Sequence, residues 1–197
     1  MKISSGKFFF VLLSLAGILT LSSCRGWEEP ASHSDGHPVI YPDYIGVTVP
    51  SNIAPLNFMV EGCERIQASI SFDGKEFTRV AGNDGVICLD EKDWKDILHK
   101  AEGDSIQVYV SVWNEEFPQG QAYAPFSIYI AKDSVDEWIA YRLIEPGYRS
   151  WRQIGLYQRD LSSFEEKAIV TNATENETCL NCHHFPAYSS ESMMFHA

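Results

Sequence analysis

The chain has 197 residues, 45% of them hydrophobic and 21% charged, with 27 acidic against 15 basic side chains and a formal net charge of −12. That apolar share is enough to form a packed core, which excludes wholesale disorder. The acidic balance leaves no basic patch to displace counterions, which excludes a nucleic-acid backbone as partner.

Residues 1–23 do not read as part of the fold. Lys2 and Lys7 form a short positive region, and Phe8 to Leu21 is almost wholly apolar or small. The run is too short to span a bilayer comfortably and has the pattern of a secretion signal. It ends in Leu21-Ser22-Ser23-Cys24, which resembles the lipobox of bacterial lipoproteins. By that resemblance the signal is cut before Cys24, which becomes a diacylated N-terminus. The acyl chains would then anchor the protein to a bacterial membrane on its extracytoplasmic side. The outer membrane is the expected one, with redox or outer-membrane proteins as expected partners.

Residues 24–43 read as a linker. Pro30, Pro38 and Pro42 are spread among small polar residues without periodicity, the composition of a tether lifting a fold off the membrane. His33 and His37 are read there as solvated side chains rather than as a metal pair.

Residues 44–132 read as a β-sandwich domain. Tyr44 to Val49 alternates, Leu56 to Val60 follows, and Ile66 to Phe72 alternates strictly before Asp73-Gly74. That dipeptide tolerates positive φ at both central turn positions and predicts a tight hairpin into Glu76–Val80. Asn83-Asp84-Gly85 marks another turn before Val86 to Leu89. A single helix is expected next, with Asp90 as N-cap, Trp94, Ile97, Leu98 and Ala101 on one face, His99 off that stripe, and Gly103 as the stop. Two longer strands follow, Ile106–Trp113 and Tyr123–Ala131. The series suggests an all-β fold, an immunoglobulin-like or fibronectin-like sandwich. Cys63 and Cys88 fall near strand ends. A disulfide between them is the favoured reading in an exported protein, worth roughly 3.5 kcal/mol on the chain-entropy model, with two buried free thiols as the alternative.

Residues 133–197 read as a small β-hairpin and a tail. Trp138–Ile144, Ile154–Arg159 and Lys167–Val170 are expected strands, blade-like in spacing and consistent with the start of a propeller. The tail carries Cys179-Leu180-Asn181-Cys182-His183, the C-x-x-C-H attachment motif of c-type haem. Two thiols at this spacing can each add to a vinyl group of one porphyrin, and the following imidazole then reaches the iron as axial ligand. His196 is the expected second axial ligand, narrowly ahead of Met193 and Met194, with an open position or a ligand from outside this sequence as an equal alternative. Zinc is the alternative cofactor, held by Cys179, Cys182, His183 or His184, and His196. A redox-active or structural C-x-x-C is a further one.

The stretch YRLIEPGYRSWRQIGLYQRDLSSFEEKAIV, followed by CLNCHHF and MMFHA, resembles exported lipoproteins labelled TolB-like or cytochrome c biosynthesis proteins. The resemblance implies a β-propeller following the single motif. It also assigns Cys179 and Cys182 to the thioethers and His183 to the axial bond. No phosphate loop, nucleophile elbow or zincin helix occurs, so no enzyme is expected. Glu115-Glu116 and Glu165-Glu166 read as solvated loop faces and Trp113 as strand packing. The expected protein is a membrane-anchored, extracytoplasmic c-type haem protein for electron transfer or redox sensing. The alternative is a TolB-like, non-enzymatic binding or assembly lipoprotein with a structural or zinc-binding C-x-x-C.

Overall fold

Among the described residues strands make up most of the regular structure, and one short α-helix interrupts them, as an all-β reading requires. The computed structural model describes residues 27–144, 154–175, 177–188 and 192–196. The expected signal and Cys24 lie outside the described residues. In chain order the strands are β1 (Ser32–His33), β2 (Thr48–Val49), β3 (Phe58–Met59), β4 (Arg65–Phe72), β5 (Lys75–Asn83) and β6 (Val86–Ile87). The helix α1 (Glu91–Lys100) follows, then β7 (Ser105–Trp113), β8 (Gln121–Ala122), β9 (Phe126–Ile130), β10 (Trp138–Leu143), β11 (Gly155–Asp160) and β12 (Glu166–Thr171). Two short strands, β13 (His183–His184) and β14 (Met194–Phe195), lie in the tail.

The large sheet is organised around β7. Antiparallel β4 lies along one edge of β7 and carries β5 on its far side, while the other edge is shared by β8 and β9. Strict alternation places Ile106, Val108, Val110 and Val112 of β7 in the core with Phe126, Ile128 and Ile130 of β9 and Ile66, Ala68 and Ile70 of β4. The β3–β6 ribbon adds Phe58 and Ile87 to the same cluster.

Two positive-φ turns set the register at the β5 side. Asp73 and Gly74, at φ 49° and 69°, join β4 to β5, the backbone a two-residue hairpin needs. Asp84 and Gly85, at φ 52° and 74°, join β5 to β6. The two glycines differ in surroundings. A Cβ on Gly74 would meet nothing within 4 Å, whereas one on Gly85 would lie 2.1 Å from the Val60 carbonyl oxygen. Gly74→Ala is therefore expected to cost about 1 kcal/mol from backbone strain alone. Gly85→Ala should cost clearly more, because the β3–β6 ribbon has to open. Chemical-denaturation midpoints of the two variants check the order, and equal midpoints would refute it.

Of the stretch Tyr123–Ala131, expected as one strand, only β9 is strand, and β8 precedes it on the other side of Pro125. Proline has no N–H to give to a ladder, so β8 and β9 end on either side of it. Each takes its own parallel partner, β1 on β8 and β2 on β9. Part of the segment 24–43, read above as a linker, thus pairs with the sheets. Ala31 N–H donates to Gln119 O at 3.0 Å and Ser34 N–H to Ala122 O at 2.8 Å, and Tyr41 exchanges main-chain bonds of 2.8 Å with Met59. Pro38 and Ile40 are buried. The physical reason is that β8 leaves an unpaired main-chain edge, which a polar, proline-bearing segment can satisfy as well as an apolar one.

The helix matches its sequence signals. Asp90 accepts from the N–H groups of Lys92 and Asp93 at 2.9 and 3.0 Å, and Trp94, Ile97 and Leu98 are buried. His99 is exposed and Gly103 takes φ 78° just beyond the end. Trp94 donates its indole N–H to Ile53 O at 2.9 Å, tying the helix to the loop that follows β2.

That same loop holds the second sheet. β10, β11 and β12 form a three-stranded antiparallel sheet in that order. Asn52 bonds both the N–H and the carbonyl of Val135, at 3.0 and 2.8 Å, and Ala54 N–H donates to Leu161 O at 2.7 Å. The β11–β12 turn is closed by Asp160, which accepts from Ser162 N–H at 2.7 Å and Ser163 Oγ at 2.9 Å. The Ser162 N–H, the largest influence, holds the Asp160 carboxyl below its ordinary range. A carboxylate with a depressed folded pKa stabilises fully above its unfolded value, near 3.9, and loses that contribution as pH falls through the folded value. Titrated by NMR in acid, the Ser162 amide shift should have its midpoint below about 3.9 and should lose the step in Asp160→Asn.

Candidate functional site: the cysteine and histidine tail

The tail motif is held by its one apolar member. Leu180 is 0% exposed and, with Ile154 and Leu156, is buried apart from the main core cluster. The turn leading to it is closed by main-chain bonds, with Asn172 N–H to Ile154 O at 2.9 Å and Glu177 N–H to Asn172 O at 2.8 Å. The neighbouring Asn181 accepts from the guanidinium of Arg142 on β10, which links the motif to the second sheet. Flanking this anchor, Cys179 and Cys182 are exposed free thiols.

His183 begins β13 and is half-buried, its ring edge-on to Phe185 at a centroid distance of 6.3 Å. The β13–β14 ladder pairs His183 with Phe195 and His184 with Met194. Opposed residues share a face and successive residues alternate, so His183 and His184 point to opposite sides of this ribbon. His196 is brought back to the motif through its backbone: its N–H donates to Cys182 O at 3.1 Å, and its carbonyl accepts from Asn181 N–H at 2.8 Å. Its side chain is exposed. The structure thus brings Cys179, Cys182, His183 and His196 into one small region. Among the described residues no group of three or more His, Cys, Asp or Glu side chains is placed to hold a metal ion.

The other cysteine pair is not brought together. Cys63 is buried against the β5–β6 turn, where its sulfur would lie 3.0 Å from a Cβ on Gly85, and its thiol donates to Val60 O at 3.4 Å. Burial raises the pKa of that thiol. Cys88 is exposed at the other end of β6, next to Leu89, whose N–H donates to the Asn57 side chain at 2.9 Å. Three residues of near-extended chain separate that turn from Cys88, roughly 10 Å, beyond the Cα separation a disulfide spans. Both are free thiols. His33 and His37 are exposed, His37 with Nδ1 3.2 Å from Ala124 O, and neither forms part of a metal group among the described residues.

Nothing in the motif chemistry singles out Arg142, Asn181 or Leu180 as positioning residues. The one signal in the sequence is the apolar Leu180 between two polar-facing cysteines, which marks a point of attachment to a core. Among the described residues no helix is long and apolar enough to cross a membrane. Comparison with protein-family models, with curated proteins and with solved structures finds no match. Fold and site together define an all-β protein that carries one C-x-x-C-H motif on an anchored surface ribbon.

Proposed function

We propose that the protein is a lipid-anchored, extracytoplasmic c-type haem protein that transfers single electrons or senses redox state. The observation that carries this reading is the C-x-x-C-H motif, with both of its thiols exposed and outside any disulfide beside the buried Leu180. These residues fit the group: accessible thiols are what thioether attachment needs, and a motif outside the core leaves room for a porphyrin. Cys179 and Cys182 would hold the haem covalently and His183 would supply an imidazole to its iron, with His196, whose backbone pairs with Cys182, a candidate for a further ligand. The bound group supplies one-electron redox chemistry. The chain's own part is to fix the motif through Leu180 and the Arg142–Asn181 bond and to keep it at the surface, where a partner can approach.

In this reading the large sheet and the β3–β6 ribbon are the two layers of an immunoglobulin-like sandwich serving as spacer or docking module. The β10–β12 sheet begins a propeller-like unit, and the Leu21–Cys24 lipobox provides the anchor. The test is to express the full chain together with haem-attachment machinery and record a haem stain on a denaturing gel and a pyridine haemochrome spectrum. Covalent haem at one per chain is expected. Absence of haem with stoichiometric zinc would replace this reading with a metal-binding assembly lipoprotein.

A further inference from the structure

A cleft of about 710 Å³ lies against β4, β5 and β7, walled by the segment around Glu28 and by the loop after β7. Arg65 stands at its centre. The guanidinium lies 4.0 Å from the centroid of the Trp113 ring and pairs with Glu28, and the side chain is 13% exposed. Arg65 Nε and Trp113 Nε1 are both buried, and neither finds a hydrogen-bond partner among the described residues. Both donors are closed off from solvent, so they make the floor of the cleft polar without offering bonds to an occupant.

The indole N–H edge is roofed by Gly120, where a Cβ would lie 2.6 Å from Nε1. Only glycine lets the loop from Asn114 close this far over the ring. That loop is shaped by Asn114, whose side chain accepts from Phe117 N–H at 2.8 Å, and by Gly120 N–H donating to Phe117 O at 3.0 Å. Asn83, Glu115 and Gln119 complete the wall.

The lining chemistry selects an occupant. Carboxylates outnumber the single guanidinium, which disfavours an anion, and the abundance of polar side chains disfavours an apolar ligand. Amides that donate and accept (Asn83, Asn114, Gln119) and carboxylates that accept (Glu64, Glu115) suit a ligand whose every group does both, and hydroxyls do. The volume falls in the range of small-molecule sites. We infer that this cleft binds a short, neutral oligosaccharide, with Arg65 and Trp113 at its base and Glu115 and Gln119 on its rim. None of the tail residues lines the cleft, so this binding is independent of the haem reading.

The full chain is titrated with maltotriose, cellotriose, xylotriose, mannotriose and chitotriose, followed by calorimetry and tryptophan fluorescence, with spermidine and inorganic phosphate as charged comparisons. Saturable binding of at least one trisaccharide is expected, weakened about tenfold by the pair Glu115→Gln and Gln119→Ala. Both residues are exposed, so the melting temperature should be unchanged. The same affinity is expected in Cys179→Ser/Cys182→Ser protein. The proposal is overturned if no trisaccharide binds at millimolar concentration, if the rim substitutions leave binding unchanged, or if only spermidine or phosphate binds.

Discussion

Cys182→Ser, made in the full chain alongside haem-attachment machinery, should leave a single thioether and shift the haemochrome band to that of a porphyrin with one free vinyl group. Cys179→Ser together with Cys182→Ser should remove covalent haem altogether. The effect is all-or-none because a haem held by neither thioether does not survive a denaturing gel. The cost to the fold should be small. Both thiols are exposed and outside the main core cluster, and surface substitutions of this kind usually fall within about 0.5 kcal/mol. Leu180→Ala is the complementary variant. It keeps every chemical group of the motif but removes the buried anchor, so haem yield should fall through disorder of the tail while the spectrum of the attached fraction stays unchanged. An unaltered spectrum in Cys182→Ser would refute the assignment of that thiol.

The largest stability effect is expected at Trp94. The side chain is 1% exposed and spends its one polar group on Ile53 O at 2.9 Å. Trp94→Ala opens a core cavity and should cost about 3–5 kcal/mol, a large part of the roughly 5–15 kcal/mol typical of a whole domain. Trp94→Phe fills most of that space but leaves the Ile53 carbonyl without its donor, and should cost less than the alanine change, about 1–3 kcal/mol. Because Ile53 lies in the loop whose neighbours Asn52 and Ala54 bond Val135 and Leu161, both variants should also loosen the second sheet. Equilibrium unfolding followed by tryptophan fluorescence and by hydrogen exchange of β10–β12 amides reads the two effects separately. Equal midpoints for the two variants would show that the hydrogen bond, not packing, is what matters there.

Several elements are legible in the amino-acid sequence because their causes are local. Asp73-Gly74 and Asp84-Gly85 adopt the positive φ values their residue types permit. The helix begins at its Asp90 cap, buries the predicted stripe and gives way to Gly103. β4, β7 and β10 to β12 lie within a residue or two of where alternation puts them. The C-x-x-C-H motif is equally visible in the sequence, and the chemistry proposed for it depends on three residues within five positions.

What is not legible depends on groups far apart along the chain. Pro125 visibly lacks an N–H, but nothing near it tells that β8 and β9, on either side of it, recruit β1 and β2 as separate partners. The polar run from 27 to 43 has the composition of a tether, and only the open edge of β8 turns it into a packed segment. Cys63 and Cys88 both lie near strand ends, yet one faces a turn and the other emerges at the far end of the β3–β6 ribbon. The cleft around Arg65 is the extreme case, assembled from residues 28 to 119 with no motif at all.

Local chemistry is thus sufficient for the all-β class, the hairpin turns and the capped helix, because backbone φ preference and side-chain periodicity act over a few residues. Long-range packing settles which edges pair, that the first linker is part of the sheet, that Cys63 and Cys88 stand apart, and that His196 returns to Cys182. Those outcomes turn on satisfying main-chain groups and burying apolar area across the whole chain.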